Sequence, residues 1–176
     1  MPFAVTHVLI AIIVADIIRD YVVKDRRKFP LHYVLIAGIA GLLPDIDVPV
    51  WWILNNFGYA MSEVHRTFSH ALFVPLIFLL LAFFTTGVKS KFLGKHKLKL
   101  NMVFYMIALG IFIHLLLDGI IVGSIMPFYP LSALPFGLNL IPVTKLGISL
   151  IAGLDAVLLL GWLIHEEIRH KISDFI

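Results

Sequence analysis

Five apolar runs separated by short polar segments define the pattern of this sequence. They cover residues 3–23, 31–43, the stretch that ends at Val88, 101–123 and 147–165. A helix of about 20 apolar residues is long enough to cross the hydrocarbon core of a bilayer, and every run except 31–43 comes near that length. A helix over that short run reaches only about 20 Å. The pattern predicts an all-α, polytopic membrane protein with about five transmembrane helices.

Proline and small polar residues predict where these helices begin, bend and end. Pro44 ends the second run, because proline cannot continue an α-helix. The third helix is expected to be capped by Ser69 or Thr67 and to kink at Pro75. Residues 124–146 contain four prolines, so we expect an irregular or re-entrant segment there.

The composition supports a membrane protein and restricts the chemistry. Hydrophobic residues make up 60% of the 176 positions and charged residues only 14%, whereas about a quarter of a soluble domain is charged. The length suits one domain over residues 1–176. Because the sequence has no cysteine, disulfides and thiolate metal sites are excluded, and histidine and carboxylate remain as metal ligands.

The distribution of Lys and Arg predicts the orientation of the helices. Eleven of the 14 basic residues lie in the loops after the first and third runs and in the C-terminal tail. By the positive-inside rule these segments face the cytoplasm, so the N-terminus lies outside and the C-terminus inside the cytoplasmic membrane. The first run should be a retained helix, because signal peptides carry their basic residues before the apolar core. The lysine-rich loop at 89–99 then suits anionic lipid headgroups rather than nucleic acid.

Histidine and aspartate side chains gather on the outer side of this topology. The seven residues are His7, Asp45, Asp47, His65, His70, His114 and Asp118. The charge rule used none of them, yet His7, Asp45, His70 and His114 come to lie at a similar depth, roughly 20–26 Å from the inner ends of their helices. Polar groups near a bilayer are costly and are usually paired, ligating or functional. We therefore predict one pocket at the level of the outer headgroups.

Taken singly, the helical members of this set have simpler explanations. His114 and Asp118 are four residues apart and share one helical face, where they can hold one metal or form a helical hydrogen bond. His7, near the start of the first helix, is by itself typical of a satisfied core histidine.

The members outside the long helices also allow two interpretations. Asp45 and Asp47 lie in a proline-bounded turn that cannot continue a helix, so their carboxylates either enter a pocket or cap a helix. His65 and His70 are five residues apart, about 140° around a helix. We expect His65 on the loop that precedes a helix begun by His70.

The nitrogen and oxygen ligands suit one or two divalent ions, Zn²⁺ with Mn²⁺ as the alternative. Two ions would share a carboxylate, and we favour Asp47 or Asp118 for that bridge. Arg66 is placed to clamp a substrate phosphate. An ion pair between Arg66 and Glu63 or Asp47 is the competing explanation.

Two further polar groups are interpreted as structural. The segment HEEIRH resembles a zinc-protease helix, but that motif needs histidines four residues apart, and His165 and His170 are five apart. We expect a solvated helix end there. Asp16, Arg19 and Asp20 should form ion pairs within one helix near the membrane edge.

Several motifs together resemble the YdjM-like family. They are Thr6-His7, Leu43-Pro44-Asp45-Ile46-Asp47, His65-Arg66 followed by Ser69-His70, His114-Leu115-Leu116-Leu117-Asp118, and Pro127-Phe128. Members of that family are described as membrane-bound metal-dependent hydrolases, so the resemblance implies a divalent metal and hydrolytic chemistry. The family is distantly similar to zinc-dependent phospholipase C and P1-type nucleases, which implies a phosphoester substrate. Where the family commonly has Thr-His-Ser, this sequence reads Ser69-His70-Ala71, which keeps the imidazole and removes one hydroxyl.

These observations predict a membrane-bound metal-dependent hydrolase that acts on a phosphoester or lipid-like substrate at the outer face of the membrane. Its partners would be membrane lipid and that substrate. Catalytic roles go to Asp47, Asp118 and Arg66, and the seven outer residues are the metal ligands. The alternative is a non-catalytic protein that binds or transports metal, with Asp16 and Asp155 as the candidates for a path to the inner side. A third interpretation is a regulatory membrane protein that has inherited the site.

Overall fold

A computed structural model describes residues 4–25 and 27–171, and their architecture is all-α as predicted. The helices are α1 (Ala4–Ile17), α2 (Leu31–Ala40), α3 (Asp47–Leu54), α4 (Met61–Val64), α5 (Phe73–Phe84), α6 (Lys91–Lys95), α7 (Leu100–Ile120) and α8 (Lys145–His170). A π-helical turn at Ile18–Val23 continues α1, and 3₁₀ turns occur at Pro44–Ile46, Asn55–Phe57 and Phe68–His70. Within the described ranges, the only extended pairing is an isolated bridge between Ile125 and Phe136.

Helix α7 forms the centre of the bundle, with α2 and α5 packed on two of its faces. The α2 backbone comes so close that a Cβ atom at Gly110 would collide with the carbonyl oxygen of Ala37 and the amide of Gly41. At the other end of the same pair, the hydroxyl of Tyr33 accepts a hydrogen bond of 2.6 Å from the amide of Lys99. Helices α2 and α7 therefore run in the same direction, and their closest approach lies one turn before the histidine of α7.

Helix α8 runs parallel to α1 along the edge of the bundle. Thr6 donates a hydrogen bond to Asp155, and His170 lies 3.0 Å from Asp20, so the paired residues are separated by 149 and 150 positions. A constant separation means that the two helices point the same way. Only 17% of the most apolar 18-residue stretch of α8 is buried, so most of the apolar surface of this helix faces outward.

Two described helices, α7 and α8, are long and apolar enough to cross a membrane. A third candidate combines α2 with the segment Pro44–Phe57, which bends away from it by 45°. The expected count of five spans is not confirmed, since α1 and α5 contain 14 and 12 residues. Large apolar side chains such as Phe83 and Val157 are 68% and 67% exposed, as expected for surfaces that contact lipid.

Several local predictions need correction. Helix α5 begins at Phe73 rather than at His70, which lies in a preceding 3₁₀ turn. It has no side-chain cap and ends at Phe84 rather than Val88. Pro75 lies in its first turn, where a missing N–H costs nothing, rather than at a mid-helix kink. Asp47 does not lie in a purely irregular turn, because it opens α3.

The end of α8 also differs from expectation. The helix continues to His170, and Glu166 is only 5% exposed because it faces α1. The predicted solvated helix end is therefore wrong for that face. By contrast, the segment between α7 and α8 is irregular, as its prolines predicted.

Candidate metal centre

Four parts of the chain meet at one end of the bundle. They are the first turns of α1, the connection from α2 into α3, the segment between α4 and α5, and the last turns of α7. Each of the seven predicted residues has a nitrogen or oxygen atom within 3.8 Å of another member: His7, Asp45, Asp47, His65, His70, His114 and Asp118. The structure thus brings the whole predicted set together.

Two buried imidazoles occupy the middle of this group. The Nε2 atoms of His70 and His114 lie 3.2 Å apart, and both side chains are fully excluded from solvent. Asp118 Oδ2 lies 3.4 Å and 3.8 Å from these two nitrogens, and Asp45 Oδ1 lies 3.8 Å and 3.7 Å from them. Two ligands of one tetrahedral ion with bonds of about 2.0–2.2 Å are themselves about 3.3–3.6 Å apart. The spacing therefore suits atoms that share a metal better than atoms that hydrogen-bond to one another.

The outer contacts of the two imidazoles determine which nitrogen carries the proton. His114 Nδ1 lies 2.6 Å from the carbonyl oxygen of Gly41, which can only accept a hydrogen bond, so Nδ1 is the donor. His70 Nδ1 lies 2.9 Å from Ser69 Oγ and 3.2 Å from Asp47 Oδ2. Because Ser69 donates its own proton to Asp47, both neighbours of His70 Nδ1 are acceptors, and Nδ1 is again the donor. In the neutral rings both Nε2 atoms therefore present lone pairs to each other. A cation between them removes that conflict, and on this ground the residues fit a metal ion.

Asp47 organises the segment between α4 and α5. Its carboxylate accepts hydrogen bonds from Ser69 Oγ at 2.6 Å and from the Arg66 amide at 3.2 Å, and it lies 2.9 Å from His65 Nδ1. The hydroxyl of Ser69 was expected to cap a helix, but it donates its hydrogen bond to the Asp47 carboxylate instead. Asp47, His65 and His70 also form a group whose donor atoms all lie within 4.8 Å of one another, so this side of the centre has the composition for a second ion.

The first turn of α1 closes the opposite side of the centre. His7 Nε2 lies 3.3 Å from Asp118 Oδ1, and the His7 ring lies over the His114 ring with centroids 3.9 Å apart. The neighbouring Thr6 donates a hydrogen bond of 3.0 Å to Asp155, which is 8% exposed. Asp155 was considered from the sequence only as part of a transport path. Its burial beside the centre depends on α8 packing against α1, which no local pattern reveals.

The guanidinium of Arg66 lies beside Asp118 rather than beside either carboxylate expected from the sequence. Its Nε is 3.0 Å from Asp118 Oδ2, while the Glu63 carboxylate accepts a hydrogen bond from the Ala60 amide. The Arg66 guanidinium also packs against Gly123, where a Cβ atom would collide with it. Gly123 has a φ of +90°, which favours glycine in any case. Sequence reasoning missed Gly123, and its only signal is a glycine five residues after Asp118.

The charges of the centre leave room for a divalent cation. Three carboxylates face one guanidinium, so the group carries two negative charges when its histidines are neutral. Asp47 and Asp118 are 7% and 4% exposed, and uncompensated charge at such burial is costly. A divalent ion would neutralise the group, and Arg66 would then be available beside it for an anionic substrate.

Comparisons with known proteins agree with the motifs in the sequence. Neither the curated proteins nor the solved structures compared with this chain include a match, so the likeness to phospholipase C and P1-type nucleases remains an expectation. One family model matches residues 1–172, which is nearly the whole length of the chain. The chain belongs to the YdjM inner membrane protein family.

Proposed function

We propose that the protein is a metal-dependent hydrolase that acts on a phosphoester, including lipid-like phosphoesters, at the outer face of the membrane. The observation that carries this proposal is the pair of buried Nε2 atoms on His70 and His114, which lie 3.2 Å apart. When each ring carries its proton on Nδ1, both Nε2 atoms direct lone pairs toward each other. A purely structural pair would place a proton between these atoms. Here the contacts to Gly41 and Asp47 hold both protons on the far side of the rings.

Four residues would hold the principal ion through the atoms that already converge: His70, His114, Asp45 and Asp118. A divalent ion such as Zn²⁺ or Mn²⁺ supplies a Lewis acid and a water of lowered pKa, which is the chemistry that ester hydrolysis needs. His7 orients Asp118 from the side of α1. Asp118 is the better candidate for a bridging carboxylate than Asp47. Its oxygen atoms lie within 3.8 Å of nitrogen atoms of four residues: His7, Arg66, His70 and His114.

Asp47 and Arg66 would support the reaction in two different ways. Asp47 holds the proton of His70 Nδ1 in place and so keeps Nε2 directed at the ion, as carboxylates behind metal-bound histidines commonly do. Arg66 presents a planar fork of N–H donors at the edge of the centre, which suits the oxygens of a phosphate. A second ion would use Asp47 together with His65.

The position of the centre supports the expected topology of five spans with the N-terminus outside. The candidate ligands lie at one end of the bundle, and Lys99, which pairs with Tyr33, lies at the other. Helices α1 and α8 point the same way, as the first and the last of five successive spans must. With the lysine-rich loop inside, the centre faces the outer leaflet.

The proposal is tested with full-length protein purified in detergent and loaded with Zn²⁺ or Mn²⁺. Panels of phospholipids, phosphomonoesters and carboxylesters are assayed for the wild type, His114→Ala and a matched control, His96→Ala. His96 is an exposed histidine in the segment between α6 and α7. We expect phosphoester hydrolysis that His114→Ala lowers by orders of magnitude and His96→Ala leaves unchanged.

The same material separates catalysis from transport. If no panel member is hydrolysed and reconstituted vesicles instead take up the metal, the hydrolase proposal is wrong. Flux that Asp155→Asn abolishes would then favour transport, since Asp155 is the buried carboxylate next to the centre on α8.

A further inference from the structure

A second group of charged and titratable side chains lies at the opposite end of the interface between α1 and α8. We call it the α1–α8 cluster, and it consists of Asp16, Arg19, Asp20, His165, Glu166 and His170. Asp16 follows His7 by nine residues, which places it about 14 Å further along the helix axis. Buried apolar side chains, including Ala11 and Ala15, lie between the two levels of α1. The cluster is therefore separate from the metal centre.

Two carboxylates of the α1–α8 cluster are buried with oxygen atoms that lack a hydrogen bond. Asp16 is 1% exposed and Glu166 is 5% exposed. In the described part of the chain, neither Asp16 Oδ2 nor Glu166 Oε1 has a hydrogen-bond partner. A buried carboxylate oxygen without a donor costs free energy, and two such oxygens close together add electrostatic repulsion. Some positively charged ligand or a proton must compensate them.

The histidines of the cluster lie at distances that suit shared coordination. His165 Nδ1 is 3.5 Å from Asp16 Oδ2, and His170 Nε2 is 3.6 Å from Glu166 Oε1. The same His170 nitrogen also lies 3.0 Å from Asp20 Oδ2, so Asp20 competes with an ion for it. Good N–H···O hydrogen bonds span about 2.7–3.2 Å, whereas two ligands of one tetrahedral ion lie about 3.3–3.6 Å apart. Donor atoms of Asp16, Glu166 and His170 all lie within 4.8 Å of one another.

The fixed charges of the cluster do not cancel. Asp16, Asp20 and Glu166 contribute three carboxylates, and Arg19 is the guanidinium buried among them, with Nη1 3.2 Å from Asp16 Oδ1. Arg19 thus compensates one oxygen of Asp16 and leaves Oδ2 directed at the histidines. Arg169 is occupied at the opening of the cluster, where it donates to the hydroxyl of Tyr21 and lies over that ring.

Lys24 lines the same opening, a cavity of about 410 Å³ that also contacts Arg19 and Asp20.

A proton shared between the two buried carboxylates, Asp16 and Glu166, is the alternative to a bound cation. It would remove one charge, but it would leave the His165–Asp16 and His170–Glu166 contacts, at 3.5 Å and 3.6 Å, longer than good hydrogen bonds.

We propose that the α1–α8 cluster is a second divalent-cation site, held by Asp16, Glu166 and His170 with Asp20 and His165 at its edge. The ion would join α8 to α1. Helix α8 buries little of its own surface, so a metal bond at this end would complement the hydrogen bond from Thr6 to Asp155 at the other end. The proposal does not depend on hydrolysis at the metal centre.

The test counts ions in full-length protein purified in detergent. The parent variant is His70→Ala/His114→Ala, in which the principal metal centre is removed. Dialysed against Zn²⁺ and measured by mass spectrometry, this variant should retain one ion per chain. Adding Glu166→Gln should remove that ion, and adding Glu167→Gln, at the neighbouring exposed carboxylate, should not. With Co²⁺ in place of Zn²⁺, the visible absorption of a nitrogen- and oxygen-ligated ion should be lost in parallel.

A second readout covers variants that fold poorly. In the otherwise unchanged chain, Glu166→Gln should lower the metal count by one ion relative to the wild type, and a chelator should lower the thermal midpoint of the wild type more than that of His170→Ala. Retention of the full metal count by both Glu166→Gln and His170→Ala overturns the proposal. A parent variant that binds no Zn²⁺ while remaining folded overturns it as well, and then the two carboxylates share a proton.

Discussion

His70 and His114 face each other through Nε2 atoms that are 3.2 Å apart and fully buried. The contacts of their Nδ1 atoms with Asp47 and with the Gly41 carbonyl direct both lone pairs inward. Two imidazoles so arranged repel each other unless an ion or an extra proton lies between them.

Removing either imidazole should remove the principal ion. We expect His70→Ala and His114→Ala each to lower Zn²⁺ affinity by at least about 100-fold, because each loses one ligand of a site with four. Competition with a chelator of known affinity measures the change. His32→Ala replaces an exposed histidine at the opposite end of the bundle and should bind Zn²⁺ as the wild type does. Equal affinity in all three variants would contradict a metal site here.

Replacing the Asp47 carboxylate, which contacts His70, should weaken the binding of the ion without abolishing it. Asp47→Asn keeps the shape of the side chain but loses the charge that holds the Nδ1 proton, so we expect a loss of about 10–100-fold in Zn²⁺ affinity. The metal count at saturating Zn²⁺ should stay at the wild-type value if Asp47 only positions His70. Loss of one whole ion would instead assign Asp47 and His65 to a second metal. Asp25→Asn, at a partly exposed residue between α1 and α2, is the control.

A methyl group at Gly123 should displace the guanidinium of Arg66, although the two residues are far apart in the sequence. Gly123→Ala forces the guanidinium away from Asp118, because the new Cβ occupies its place. Hydrogen bonds to a charged group contribute about 1.5–3 kcal/mol, so inorganic phosphate should bind the metal-loaded variant about 10-fold more weakly or worse. Arg66→Ala should show the same loss by calorimetry.

Gly58→Ala supplies the matched control for that prediction. Gly58 has a φ of +89°, close to the +90° of Gly123, but among the described residues no atom beyond its chain neighbours lies within 4 Å of an added Cβ. Backbone strain is therefore similar in the two variants, and only Gly123→Ala displaces Arg66. Equal phosphate binding by Gly58→Ala and Gly123→Ala would show that the guanidinium does not meet the phosphate.

The close contact of α2 and α7 should be sensitive to a single methyl group. Gly110→Ala places its Cβ against the Ala37 carbonyl and the Gly41 amide, and overpacking of this kind costs about 1–3 kcal/mol. We expect a lower thermal midpoint in detergent and weaker Zn²⁺ binding, since the Gly41 carbonyl moves away from His114. Gly153→Ala, in α8 with open space around the added Cβ, should not lower the midpoint. Unchanged stability of Gly110→Ala would contradict the close approach.

Membrane orientation is testable because the chain contains no cysteine. Single cysteines at Ser62, near the metal centre, and at Gly94, in the lysine-rich loop, are both at exposed positions. An impermeant maleimide applied to intact cells should label Ser62→Cys and should label Gly94→Cys only after the membrane is opened. Labelling of both from the outside would refute the five-span topology and the outward-facing centre.

The sequence alone determined the features that depend on local periodicity and on composition. Apolar runs predicted an all-α protein, since helix length and hydropathy are local properties. The spacing of His114 and Asp118 placed them on one face of α7, because the helical repeat requires it. The prolines after α7 predicted an irregular segment for the same local reason. Charge distribution and depth along the helices also predicted that the seven candidate ligands gather at one end.

Tertiary structure decided the features that depend on which helices are neighbours. Arg66 pairs with Asp118 rather than with Glu63 because the segment before α5 folds over the end of α7. Glu166 is buried rather than solvated because α8 runs parallel to α1, which pairs residues about 150 positions apart. No local pattern encodes such a pairing, because its free energy comes from surfaces that meet only when the chain has folded. The sequence therefore supplied the candidate ligands, and the packing of α1, α2, α7 and α8 decided how their side chains are directed.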